Sequence, residues 1–384
     1  MHMAKGGSLS LNTKKGKVRE ALRNPIDVLN SLKLKAGNEA YCYERLYRNL
    51  YNEEFYLLAY QNIYASAGNM TAGADGKTID GMGMDRIQML IDKMKDHSYQ
   101  PNPARRTYIE KKNGKKCPSS IPSFDDKLVQ EVVRLILESI YEPTFSDFSH
   151  GFRPNRSCHT ALQQIQGTFT GVKWFIEGNI CGFFDNIDHA VLINILRKRI
   201  HDEYFIALLW KFLKAGYVED WTFHNTYSGT PQGSIISSIL SSVYLNELDR
   251  FMEHYMKEFE RGKKRQKSEE YANLEHMDFG YRRLFYVRYA DDWLCGVIGS
   301  KQKAEEIKAD IGKFLLETLK LELSEEKTLI TNARDKARFL NYDIFVSDNE
   351  SLREDKNGHT RRVRNGKIRL YVPREKWQKK THRL

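Results

Sequence analysis

Arg283-Leu-Phe-Tyr-Val-Arg-Tyr-Ala-Asp-Asp-Trp-Leu-Cys-Gly-Val-Ile298 places two adjacent aspartates, Asp291 and Asp292, between two apolar runs. Aromatic and β-branched residues dominate both sides, so the stretch reads as two short strands meeting at Tyr289-Ala290-Asp291-Asp292. The acids then lie on a hairpin turn backed by buried sheet. Two carboxylates there can share divalent cations, because hard oxygen ligands suit magnesium and paired metals stabilise both oxygens of a phosphoryl displacement. An ordinary Asp-Asp turn is the plainer alternative, since turns favour Asp for unrelated reasons.

The chain has 384 residues and a 41% hydrophobic share, enough for two or three domains and a substantial core. Lys and Arg number 61 against 50 acids, a net charge of +11, and they are interleaved with 21 Tyr and 19 Phe. That mixture favours an anionic partner, and suits nucleic acid in particular, where phosphates meet cations and bases stack on rings. No apolar run approaches the roughly 18 residues of a membrane span. The five cysteines, Cys42, Cys117, Cys158, Cys181 and Cys295, form no C-x-x-C pair, which argues against a zinc finger or disulfide framework and for a reducing compartment. Lys5, Lys14, Lys15, Lys17 and Arg19 precede the first acid, Glu20. This basic arm reads as solvated and RNA-touching, with an organellar transit peptide as the alternative.

Along the chain, 24–66 has helical periodicity with recurring Leu, Tyr and Phe, and reads as a helical pair. A Gly-rich connector leads to an amphipathic helix at 84–96. A hairpin follows, with Arg105-Arg-Thr-Tyr-Ile-Glu-Lys-Lys112 as one strand and Asn113-Gly114 as its turn. Helices are expected at 125–141, 189–200, 235–255 and 301–321, strands at 175–184 and 338–346, and a charged linker at 257–275. The end, 361–384, is strongly basic.

Further segments join the acidic turn: Phe183-Phe-Asp-Asn-Ile-Asp-His189, Ser149-His-Gly-Phe-Arg-Pro-Asn-Arg156, Ser228-Gly-Thr-Pro-Gln-Gly233, Leu323-Ser-Glu-Glu-Lys-Thr328 and Arg338-Phe-Leu-Asn-Tyr342. With Tyr-Ala-Asp-Asp they resemble, in order and spacing, the reverse transcriptases of group II introns, the intron-encoded maturases, over about residues 25–375. Leu46-Tyr-Arg-Asn-Leu-Tyr51 is similar to the extension such proteins carry before the fingers. The resemblance implies an α+β fold with right-hand polymerase-like fingers and palm, and an antiparallel palm sheet flanked by helices. It divides the chain into a basic arm (1–24), a helical extension (25–70), fingers (71–172), a first palm segment (173–200), a fingers/palm insertion (201–234), palm with a charged insertion at 257–280 (235–348), and the start of a truncated thumb or maturase domain (349–384).

What the family implies can be carried over residue by residue. Asp291 and Asp292 would bind Mg2+, or Mn2+, for attack of a DNA primer 3′-hydroxyl on a dNTP along an RNA template. Phe184 would pack on the sugar as a steric gate, while Phe183 is equally readable as a core aromatic. Gln232 and Gly233 would lie close to template and nucleotide, and Lys111 would meet the triphosphate unless it is a solvated surface lysine. Lys327 would stand near the leaving pyrophosphate, a helix-flanking lysine being the plainer account. Arg105, Arg106, Arg153 and Arg156 are candidate RNA contacts, with a structural role open for the last two. Tyr289 would pack beneath the acidic turn. A cytoplasmic, bacterial location with nucleic acid is expected, an organellar one being the alternative.

The pattern breaks at informative places. The third metal-binding aspartate of the family, five residues before the gate aromatic, is Asn179 here, and an amide is a poor magnesium ligand. Glu177 shares its strand face but lies about 6.5 Å away along the strand, and Asp185 is expected to point elsewhere. Cys117 replaces a family arginine, Ser119-Ser120 stands for Leu-Gly, and Ser234 and Ser238 replace a glycine and a proline. Asn341 replaces a glycine, which Asn tolerates because it accepts left-handed backbone. Impaired polymerisation is therefore expected, the alternatives being a maturase-like RNA-binding protein that assists splicing or a truncated relic.

Overall fold

The computed structural model describes residues 23–66, 68, 70–110, 114, 116–230, 233–262, 280–347, 350–354, 360–364 and 366–376, the side chains of 117, 350–354 and 360–364 excepted. The basic arm over 1–22, Lys111, Gln232, most of the charged insertion and the Cys117 side chain thus lie outside the described residues. Asn24 caps α1 (Pro25–Ala36) by accepting from the Ile26 amide at 2.8 Å, with Pro25 preset for the first turn. The expected helical pair is interrupted after it. Tyr43 leaves the helical path to donate its amide to the Arg199 carbonyl at 2.7 Å, and a 3-10 turn at Tyr47–Tyr51 precedes α2 (Glu53–Tyr64). The expected amphipathic helix is α3 (Met84–Lys95).

β1 (Ala104–Glu110) and β2 (Lys116–Ile121) form the expected antiparallel hairpin, in register from Arg105↔Ile121 to Glu110↔Lys116. Ser123 then caps α4 (Phe124–Tyr141), whose apolar residues Leu128, Val129, Val132, Val133, Ile136, Leu137 and Ile140 are fully buried. Two helices that the apolar pattern did not announce follow in the chain. α5 (Cys158–Thr168) starts at a reciprocal Ser157–Thr160 capping box, and α8 (Glu203–Leu213) starts at an Asp202 cap. Between them come β3 (Trp174–Asn179), α6 (Phe183–Asn186) and α7 (His189–Arg197). The strand expected over 175–184 therefore stops at Asn179. Gly182, in left-handed conformation at φ 51°, turns the chain into α6. β4 (Tyr217–Glu219) and β5 (Thr222–His224) extend the finger sheet to the order β2-β1-β4-β5. α9 (Ser237–Phe259) runs on into the segment expected as a charged linker.

β6 (Arg283–Tyr289) and β7 (Asp292–Ile298) are the two strands read around the acidic pair, and α10 (Lys301–Leu319) and β8 (Leu329–Asn332) follow. The central sheet has the order β6-β7-β3-β8 and is antiparallel throughout. Period-two alternation gives it two buried faces. Ile176, Tyr286, Trp293, Cys295 and Val297 join the large core with α4, α9 and α10. Phe175, Val287 and Leu294 join a second core with α5 and the C-terminal strands. The strand expected at 338–346 is instead two, β9 (Ala337–Phe339) and β10 (Tyr342–Val346), because Leu340 and Asn341 both adopt positive φ, 48° and 68°, and reverse the chain. Beyond it, β11 (Glu350–Glu354) pairs with β12 (Thr360–Arg364), and β13 (Ile368–Tyr371) adds to β10. The described part of 349–384 is thus mostly strand, and β13 completes a three-stranded sheet of order β13-β10-β9. The architecture is α+β with a polymerase-like antiparallel sheet flanked by helices. No helix among the described residues is long and apolar enough to cross a membrane.

Candidate active site

Asn179, at the end of β3, is the register partner of Asp292, at the start of β7. Alternation turns Glu177, Asn179 and Asp292 to one face, that of β9 and β10. There they line a cleft of about 720 Å³ with Asp291, Lys327, Arg338 and the Leu340–Asn341 turn. Asn179 is 6% exposed. Its Nδ2 donates to Asp292 Oδ1 at 2.6 Å and to Asp291 Oδ2 at 3.2 Å, while its Oδ1 accepts from Lys327 Nζ at 3.1 Å. These partners fix the orientation of the amide: carboxylates only accept and an ammonium only donates. Burial pushes the Asp292 carboxyl up, the Asp291 charge adds to the effect, and Asn179 and Lys327 oppose it.

Glu177 does not stand in for the missing acid. Its Oε1 accepts from the Thr331 hydroxyl at 2.6 Å and its Oε2 from the Arg338 amide at 2.8 Å, which commits both oxygens to β8 and β9. Among the described residues no group of three or more His, Cys, Asp or Glu is placed to hold a metal ion. Asp291 and Asp292 offer the carboxylate oxygens a single hard cation needs. A bridged metal pair does not fit, because the third position presents N–H donors where an acceptor is required.

The turn itself is strained and braced. Ala290 has φ 55°, a region L-residues avoid. Its carbonyl accepts from Arg288 Nη1 at 2.9 Å, and the same guanidinium bonds Ser149 Oγ at 2.8 Å and both carboxylate oxygens of Asp249 on α9, at 2.7 and 2.5 Å. Arg288 is 1% exposed and Asp249 fully buried. His150 donates its amide to the Arg288 carbonyl, and Arg288 donates its own to Phe148, so residues 148–150 run beside the end of β6. Gly151 then lies so close that a Cβ there would sit 2.3 Å from the Ala290 nitrogen. Sequence reasoning passed over Arg288, Asp249 and Gly151 as parts of this support. The available signal was a lone arginine inside the apolar run Leu284–Tyr289, since a buried charge requires a partner. Tyr289 packs against the second core beneath the turn.

Of the other candidates, Lys327 is brought to the acidic pair through Asn179. Phe184 is half-buried and meets Phe183 and Phe152 edge-on, at 5.2 and 6.0 Å between ring centroids, while Phe183 is a core aromatic. Gly233, at φ 102°, packs on the fingers, where a Cβ would meet the Ser120 carbonyl oxygen at 2.6 Å. The next residue, Ser234, uses its hydroxyl to bond Gln130 Oε1 at 2.8 Å, a link between this loop and α4 that a glycine would lack. Arg105 is exposed and donates to the Ala72 carbonyl, and Arg106 lies 4.6 Å over the Tyr217 ring. Arg153 is turned inward: it pairs with Glu142 at 2.9 Å, bonds the Ser146 and Ser149 carbonyls and covers Phe145. Arg156 pairs with Asp147 at 2.8 Å. Asp185 lines a separate cleft with Arg106 and Tyr217.

A sequence profile described as reverse transcriptase (RNA-dependent DNA polymerase) matches residues 109–344. The chain is 44% identical over 369 residues to the group II intron-encoded protein LtrA of Lactococcus lactis subsp. cremoris, an alignment covering 86% of this chain and 61% of that protein. It is 34% identical over 321 residues to protein YkfC of Escherichia coli (strain K12), covering 79% of this chain and 83% of that one. Among solved structures, the telomerase of Candida albicans superposes with a TM-score of 0.45 at 13% identity, covering 65% of this chain and 46% of that one. The chain spans about three fifths of the length of the intron-encoded relative.

Proposed function

The chain belongs to the reverse transcriptase (RNA-dependent DNA polymerase) family, and from that premise we propose that it is an RNA-directed DNA polymerase of the group II intron type whose polymerisation is impaired at Asn179. The observation that carries this reading is the acidic pair itself: Asp291 and Asp292 on a braced hairpin turn, in register with the end of β3, lining a cleft. In this reading Asp291 and Asp292 hold a divalent cation, Mg2+ or Mn2+, which when bound supplies charge stabilisation to phosphoryl transfer. The chain's own residues bind and orient the rest. RNA template and DNA primer run along the cleft, Phe184 limits the sugar, and Gly233 lets the backbone approach. Lys111 and Gln232 act on the incoming dNTP, and Arg105, Arg106 and Arg156 meet phosphates. Arg153, held by Glu142, positions the loop over 149–156. Thr331 and the Arg338 amide hold Glu177 away from the acids.

One observation favours a second reading, a maturase-like RNA-binding protein that assists intron splicing: the Asn179 amide already closes on both carboxylates. Primer extension on an RNA template in Mg2+ or Mn2+ separates the two. Slow extension that disappears in Asp291→Asn supports the polymerase. No extension by the chain, together with salt-dependent RNA binding, supports the second reading. Absence of both overturns each. A bacterial cytoplasmic location, with nucleic acid, accompanies either reading.

A further inference from the structure

On the reading of Asp291 and Asp292 as the metal-holding pair of this family, we infer that Asn179 and Lys327 form an internal latch that occupies the place of the cation, so that the acidic pair takes up divalent metal only when the latch is broken. The latch is three hydrogen bonds among four side chains. Lys327 Nζ donates to Asn179 Oδ1 at 3.1 Å, and Asn179 Nδ2 divides its two protons between Asp292 and Asp291. The backbone holds both ends: Asn179 is in register with Asp292, and its carbonyl accepts from the Ser324 amide at 2.9 Å, three residues before Lys327.

A cation entering between the carboxylates meets the N–H edge of the amide, and that edge repels it. Turning the amide over offers Oδ1 to the cation. The same rotation places Nδ2 against the Lys327 ammonium, donor against donor, so one flip costs three hydrogen bonds and creates a repulsive contact. With Asp at this position neither obstacle exists, since every oxygen of a carboxylate accepts. Two acids and one ammonium leave the latched site at −1, whereas a third acid leaves it at −2, and the more negative site attracts a divalent ion more strongly. Glu177 cannot relieve the latch, because Thr331 and the Arg338 amide hold both its oxygens.

Binding of free Mn2+ to the full-length chain, followed by electron paramagnetic resonance and titration calorimetry without nucleic acid or nucleotide, tests the latch apart from polymerase activity. Uptake by Asn179→Asp should be tighter than by the wild-type chain by on the order of a hundredfold, and Asn179→Asp, unlike the wild-type chain, should melt at a higher temperature in Mn2+ than in chelator. Lys327→Met, which frees the amide to flip, should recover part of the affinity. Wild-type uptake as tight as that of Asn179→Asp, and lost in Asp291→Asn, overturns the latch. So does a failure of both Asn179→Asp and Lys327→Met to bind more tightly than the wild type. The RNA-binding and primer-extension outcomes bear on the proposed function and leave this comparison intact.

Discussion

Asn179 and Arg288 show how much one side chain can decide. The amide at 179 keeps the size of an aspartate and reverses its hydrogen-bond character toward Asp291 and Asp292. Arg288 has the opposite kind of role: its guanidinium is spent entirely inside the protein, on Asp249, Ser149 and the Ala290 carbonyl. Arg288→Met leaves the Asp249 carboxylate buried without a counter-charge, and urea unfolding should report a loss of about 3–5 kcal/mol. The double variant Arg288→Met/Asp249→Leu should regain much of that, because an apolar pair of similar volume needs no desolvated charge. If the double variant is as unstable as the single, the ion pair is not what Arg288 contributes. The sequence made Asn179 legible because its place in a motif was countable, and Arg288 illegible because its partner lies 39 residues earlier, on α9.

Elements that carry their own periodicity were read well. The hairpin β1–β2, helix α4 and the pair β6–β7 fall where alternation or helical spacing placed them. Two misreadings occur where backbone conformation, rather than apolar spacing, redirects the chain: Gly182 turning it into α6 after β3, and Leu340–Asn341 dividing one expected strand into two. β13 could not be read as a partner of β10, since strand pairing across that separation has no local signature. Two glycines test the tightness of the support around the acidic turn. Gly151→Ala puts a methyl 2.3 Å from the Ala290 nitrogen, with backbone as the obstacle, and should lower stability by about 1–3 kcal/mol. Gly167→Ala, in α5 with nothing within 4 Å of the new methyl, should raise it by up to about 1 kcal/mol. Thermal denaturation of the two variants in parallel checks both signs, and a neutral Gly151→Ala would mean that the loop over 149–156 does not fix the turn.

Over the whole molecule, a chain of net charge +11 carries a cleft lined by the acidic pair, Asn179, Lys327 and Arg338. Such a surface should bind RNA through phosphates, with affinity falling linearly in log salt at a slope of about −0.7 per phosphate contact on single strands. Replacing Arg105 and Arg156 by Ala should flatten that slope, and an unchanged slope would remove both from the RNA path. Family membership and palm architecture come from many residues at once, and they survive the loss of one acid. On the proposed reading the catalytic rate depends instead on the few atoms at Asn179, Asp291 and Asp292. The most direct measurement is therefore the rate of primer extension on an RNA template by the chain and by Asn179→Asp under identical Mg2+. Restoring the carboxylate should raise the rate by on the order of tenfold or more, each factor of ten being about 1.4 kcal/mol of barrier. Equal rates for the two proteins, with extension clearly measurable in both, would contradict the account.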